Sequence, residues 1–279
     1  MTDAATRDTN FESIEADLVY AVDTGEKLVN QTMSAGNMSR VVTGTYEMHP
    51  RTIRNGRLMR DAFSLDRNGF VFCDHPTAVT DFFDKDQVTG IYYDEACKLV
   101  AEMSGASRVE VFDHTLRSSD DNTRKEKLVR EPVHSAHNDY TENSGPRRVR
   151  EIFPDEADDL LSRRFAIIQV WRAIRKPIEI DPLTICDART FRTEDLLTAE
   201  RRYPDRVGET YRLAFSPGQE WYYFPRMTRD EALVFKVYDS DTSVDARFTP
   251  HTSFADPTSP PDGPPRESIE IRTFAFFDD

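Results

Sequence analysis

Apolar and polar positions change period along this chain, and the change splits it into two halves. In the first half, NGFVFC (Asn68 to Cys73) reads as a turn and a short strand. From Asp84 to Met103 the apolar residues Ile91, Ala96, Leu99, Val100 and Met103 recur at helical spacing, and Gly105 supplies a stop. RVEVFDHTLR (Arg108 to Arg117) alternates as a strand, and the polar run Ser118 to Lys127 predicts a mobile loop. A Gly-Pro turn at Gly145-Pro146 leads to a short helix with Pro154 near its start and acids in its first turn.

In the second half the period shortens. FAIIQVWRAI (Phe165 to Ile174) is almost continuously apolar, as a strand covered on both faces must be. IEI, LTICD, TYRLAF, WYYF, ALVFKVYD, ARFTPH and SIEIRTFAFF follow, punctuated by Ser216-Pro217-Gly218 and the Pro-rich run from Pro257 to Pro265. Many short strands at close spacing predict a mainly β jelly roll with flanking helices. Residues 1–279 read as one domain, with 1–20 a loose N-terminal arm and 21–128 a helix-containing N-terminal part.

Composition narrows the partners. The formal net charge of −14 argues against nucleic acid, whose phosphates need a basic field. No stretch approaches the roughly 18 apolar residues of a membrane helix, and the acid-bearing N-terminus does not resemble a signal peptide. Three widely spaced cysteines, Cys73, Cys97 and Cys186, suggest no disulfide framework. Together these predict a soluble cytoplasmic protein acting on a small molecule.

The chemistry concentrates at three positions. His137-Asn138-Asp139 is an H-x-D triplet, and residues two apart on a strand share a face. His251, about 110 residues later, supplies a third ligand from another strand. Two imidazoles and one carboxylate on one face leave coordination positions open, the facial triad of non-haem iron(II) oxygenases. Arg266 and Ser268 then open the last strand on one face, and a guanidinium fork with a hydroxyl suits the distal carboxylate of 2-oxoglutarate. Arg272 lies an even number of residues along the same strand and competes for that role. His134 is offset by three from His137 and points to the opposite face.

The set VFDHTLR, HNDYT, VWRAI, PLTICDART, WYYFPRMTRDEALVFKVYDS, PHTSF and PPRESIEIR resembles the CmcJ/NvfI-type (gibberellin desaturase-like) oxygenase family from about Asn68 to the C-terminus. The resemblance implies a double-stranded β-helix fold, iron(II) held by His137, Asp139 and His251, and 2-oxoglutarate and dioxygen as cosubstrates. Related folds place an aromatic beside the cosubstrate, which points to Trp171. Reactions in the family include hydroxylation, desaturation and ring formation, so the product stays open.

Arginines in pocket-edge segments (Arg117, Arg150, Arg172 and Arg226) suggest a small anionic or zwitterionic substrate. Arg226, at the end of WYYF, is the preferred contact, with Tyr223 and Arg172 beside it. Two other readings remain at this stage: a cupin-type metal dioxygenase that needs no 2-oxoglutarate, and a non-catalytic jelly-roll binding module.

Overall fold

The computed structural model describes residues 11–34, 37–202 and 207–278. Two antiparallel-rich sheets face each other. The large sheet is ten-stranded. It contains β1 (Ser13–Val22), β2 (Leu28–Ser34), β3 (Asn37–Val42), β4 (Thr45–Asn55), β7 (His137–Asn138), β9 (Leu183–Cys186), β10 (Leu196–Arg202), β11 (Val207–Leu213), β12 (Trp221–Tyr223) and β14 (His251–Ser253). The small sheet is five-stranded, in the order β5 (Phe70–Asp74), β13 (Glu231–Asp239), β8 (Phe165–Ala173), β15 (Glu267–Phe276) and β6 (Arg108–Ser118).

β8 is central to the small sheet, and all nine of its residues are buried, which explains its lack of alternation. Phe165, Ile167 and Trp171 turn inward to meet Ile185, Tyr222 and Phe235 between the sheets. Ala166, Ile168 and Val170 turn outward under the helix Tyr93–Ser104, through Ala96, Leu99 and Val100. Gly105 ends that helix in the left-handed conformation, φ 75°, where a residue without Cβ pays no steric cost.

Several expectations need correction. Residues 1–10 of the predicted loose arm lie outside the described residues. From Ser13 onward the arm is strand β1, paired along its whole length with β4. Its inward Leu18 and Tyr20 are buried, and one apolar residue in two was too sparse to stand out among acids. The predicted mobile loop contains a helix, Asp121–Lys127, because the Asp120 side chain accepts from Thr123 N–H at 2.6 Å and caps it. Gly145-Pro146 is no turn but the opening of the helix Ser144–Ile152, where proline is tolerated. IEI is irregular, and His251 begins a strand rather than ending ARFTPH.

Candidate metal centre

β7 and β14 are neighbours in the large sheet, and His137 stands directly opposite His251. Their rings lie 4.5 Å apart between centroids. Asp139, two residues past His137, turns to the same side, with Oδ1 3.5 Å from His137 Nε2. One ligand atom from each of the three residues lies within 4.8 Å of the others. Adjacent ligands around a metal with bonds of roughly 2.1 Å stand ~3 Å apart, so a small contraction would close the set on one ion.

The donors are prepared for that task. His137 Nδ1 donates to the Ser135 carbonyl at 2.9 Å and His251 Nδ1 to the Thr249 carbonyl at 3.1 Å. A carbonyl only accepts, so each Nδ1 carries the proton and each Nε2 keeps a lone pair. Burial, followed by the nearby His251, holds His137 well below the usual imidazole range and so neutral. Burial alone would raise the Asp139 carboxyl, but the Arg272 guanidinium outweighs it and keeps it well below the usual carboxylate range.

Asp139 is held through one oxygen. Its Oδ2 accepts from Gln169 Nε2 at 2.7 Å and from Arg272 Nε and NH2 at 3.2 and 3.1 Å. That leaves Oδ1 toward the imidazoles. Arg272 is itself fixed by Asp113, Thr115 and Glu270. Asn138, between the two ligands, points the other way. Its amide donates to the carbonyls of Tyr140 and Val237, and its oxygen accepts from Thr249 N–H at 3.0 Å. It therefore ties the H-x-D segment to the chain two residues before His251. Sequence reasoning missed both supports: Gln169 lay within the run FAIIQVWRAI without a role, and Asn138 was only the spacer of the triplet.

Arg266, Ser268 and Trp171 come together on the inner wall. The Arg266 guanidinium lies 4.9 Å from the Trp171 ring centroid. It donates to Ser268 Oγ at 3.1 Å, Ser253 Oγ at 2.5 Å and the Asp181 carbonyl at 2.7 Å. Ser253 is two residues beyond His251 on β14, one strand repeat of ~6.6 Å along the backbone, so Arg266 bonds to the strand that carries His251. Arg272 is instead engaged by Asp139, so the two competing arginines have different partners.

The structure does not bring the expected substrate contacts to this centre. Arg172 is on the outer face of β8, where it donates to the His75 carbonyl at 2.7 Å and packs 4.9 Å from the Tyr92 ring. Period 2 makes it face away from Gln169 and Trp171. Tyr223 also faces outward, packing against Phe254, while its neighbour Tyr222 enters the inter-sheet core. Arg226 pairs with Glu179 at 3.0 Å and lines a different cavity of about 210 Å³ with Tyr223. His134 is exposed, 4.0 Å from Asp181, and takes no part. The cavity that does reach the centre, about 230 Å³, is bounded by Asp113, Asp139, Tyr140, Arg147, Thr210 and Arg272 among others.

Residues 18–276 match the family described as Oxidoreductase/YMDC permease-like domain (YDMC). A hydroxylase/desaturase, CTB9 of Cercospora beticola, is 35% identical over 84% of this chain and 78% of that relative. The Fe(II)/2-oxoglutarate-dependent dioxygenase nvfI of Aspergillus novofumigatus is 32% identical, over 82% of this chain and 83% of the relative. The solved iron and alpha-ketoglutarate-dependent endoperoxidase NvfI superposes with a TM-score of 0.84 at 27% identity, covering 96% of this chain and 99% of that one. The chain belongs to the CmcJ/NvfI-type oxygenase family.

The two facing sheets are accordingly its double-stranded β-helix, or jelly roll. The protein is an iron(II)- and 2-oxoglutarate-dependent oxygenase that uses dioxygen on a small-molecule substrate. Iron with 2-oxoglutarate supplies the oxidation of an unactivated C–H bond, with succinate and carbon dioxide as coproducts. The two alternative readings, a metal dioxygenase without 2-oxoglutarate and a non-catalytic module, fall away. Among the described residues no helix is long and apolar enough to cross a membrane.

Proposed function

We propose that His137, Asp139 and His251 bind the iron, that Arg266 with Ser268 anchors the distal carboxylate of 2-oxoglutarate beside Trp171, and that the substrate is a small anionic or zwitterionic metabolite. The observation that carries the reading is the spacing of Arg266 from His251. Arg266 touches Ser253, one strand repeat along β14, a span that a five-carbon diacid covers from an iron-chelating end to a distal carboxylate.

In this arrangement the protein's residues orient and exclude. His137 and His251 each present Nε2, the ring nitrogen not used in the carbonyl bond. Arg272 and Gln169 hold Asp139 by Oδ2 so that Oδ1 points at the ion. Trp171, Ile167 and Phe235 keep the far side of the centre dry, which strengthens every charge interaction there. Hydroxylation is the default outcome; desaturation or ring closure needs only a different placement of the substrate carbon.

We infer a cytoplasmic location from Cys73, Cys97 and Cys186, all of them unpaired, which suits a reducing compartment. The test of function is iron-dependent conversion of 2-oxoglutarate to succinate, stimulated by members of a panel of small acids and amino-acid derivatives. Mass spectrometry should find a product that has gained one oxygen atom or lost two hydrogens. Turnover of the organic substrate without succinate would contradict the reading.

A further inference from the structure

The inner wall carries a second arginine that neither the metal nor the cosubstrate requires. Arg117 lies on β6, directly opposite Ser268 in the ladder with β15. Opposed residues of an antiparallel pair share a face, with Cβ atoms about 5 Å apart. Thr115 and Asp113, which precede it at intervals of two, both contact Arg272, so the whole row points into the barrel. Arg117 therefore stands between the Arg266–Ser268 corner and the Asp139–Arg272 corner. Its strand borders the cavity that opens on Asp139, since Asp113 lines that cavity.

Among the described residues no carboxylate pairs directly with Arg117, although Glu270 and Asp139 lie near enough to favour its charge. The guanidinium donates one hydrogen bond among the described residues, from NH1 to the Glu131 carbonyl at 2.8 Å. Arg266 likewise bonds only to hydroxyls and a carbonyl. Among the described residues neither has a carboxylate within ion-pair distance. Burial pushes Arg117 down to about 10, with Arg272 and Arg201 opposing Glu270 and Asp139. Burial and then the charge of Arg117 push Arg266 down to about 9. A fold that holds a half-buried and a buried cation side by side, with no carboxylate bonded to either, leaves hydrogen-bonding capacity for bound anions. The distal carboxylate of 2-oxoglutarate is one anion; it satisfies one of the two.

We propose that Arg117 is a specificity-determining residue that binds a carboxylate of the organic substrate, on the side of the cavity facing Asp139. This assignment rests on the iron and 2-oxoglutarate reading of the site, and it moves the anion contact from Arg226 to the barrel interior. It commits the substrate class to small organic acids that carry a carboxylate besides the carbon to be oxidised.

The test uses the whole chain loaded with zinc(II), which cannot turn over, and saturated with 2-oxoglutarate. Acetate, benzoate and 4-phenylbutanoate are titrated against their amides by calorimetry. At least one acid should bind tighter than its amide by about tenfold or more, as expected for a charged hydrogen bond. Arg117→Met should abolish that preference, and Arg117→Lys should retain part of it. Both variants should bind 2-oxoglutarate within about twofold of wild type. Equal binding of acid and amide throughout the series overturns the proposal, as does a preference that survives in Arg117→Met. A loss of 2-oxoglutarate affinity in Arg117→Met overturns it too, because Arg117 would then belong to the cosubstrate. Failure of the wild type to bind zinc and 2-oxoglutarate at all would overturn the site reading itself, and this proposal with it.

Discussion

Two arginines six residues apart, Arg266 just before β15 and Arg272 within it, do opposite things. Arg272 is met by the carboxylates of Asp139, Asp113 and Glu270, and these acids outweigh its burial to raise it well above the ordinary range. Among the described residues the Arg266 guanidinium bonds only to hydroxyls and a carbonyl and packs on an aromatic ring, and burial lowers it. Both are buried and both face inward. The difference teaches that a buried cation already matched by acids is scaffolding, whereas one matched by neutral acceptors is prepared for a ligand that brings its own charge.

The largest expected effect comes from the ligand set. His251→Ala should leave no iron bound after gel filtration while circular dichroism stays native, since the ring lies at a strand end. Retention of stoichiometric iron would remove His251 from the centre. Next, Arg272→Met strips the acid-matched corner and leaves Asp139 and Glu270 buried without a cation. We expect metal affinity to fall about 10- to 100-fold, as for other residues that orient a ligand. Stability should drop by ~3–5 kcal/mol, the usual cost of breaking a buried pair from one side. Metal titration and denaturant unfolding measure the two, and an unchanged metal affinity would unmake the scaffolding role.

A smaller effect is expected at Asn138. Asn138→Ala leaves the Thr249 N–H buried without its acceptor, a loss of about 1–3 kcal/mol. Differential scanning calorimetry should show a melting temperature lower by several degrees, with iron bound less tightly because His251 loses its tie to β7. The smallest effect is at the other cavity. Arg226→Ala breaks the pair with Glu179 but touches nothing at the centre, so the kcat and KM for 2-oxoglutarate should match wild type. A change in either would connect that cavity to catalysis.

Much of this was legible in the sequence. The strands β5, β6, β8, β13 and β15 announced themselves because each is apolar enough or alternates cleanly. The H-x-D triplet with His251, and the Arg266–Ser268 pair, were legible because period 2 puts each pair on one face. What escaped has physical causes. Strand β1 carries a sparse apolar row among charges, so little distinguished it from a polar arm, and β2 to β4 fell in the part expected to be helix-containing. Tyr223 was expected to contact substrate, yet parity along a strand says which residues go together and not which side is inside. Arg226 ends an aromatic strand but turns there with φ 52°, which directs it to Glu179 instead of the barrel. Gln169 and Asn138 act through long-range hydrogen bonds, across 30 and 111 residues respectively, and no local pattern encodes those.

The central claim, that Arg266 and not Arg272 receives the cosubstrate, is tested most directly by anaerobic titration of iron(II)-loaded protein with 2-oxoglutarate. The visible charge-transfer absorption that appears on chelation is followed in wild type, Arg266→Lys and Arg272→Lys. Arg266→Lys should bind iron as wild type does but need about tenfold or more 2-oxoglutarate for half-saturation, because lysine keeps the charge and loses the fork. Arg272→Lys should be weakened at the iron-loading stage and, once loaded, titrate close to wild type. An Arg266→Lys curve that overlays wild type, with the shift appearing in Arg272→Lys instead, would contradict the account.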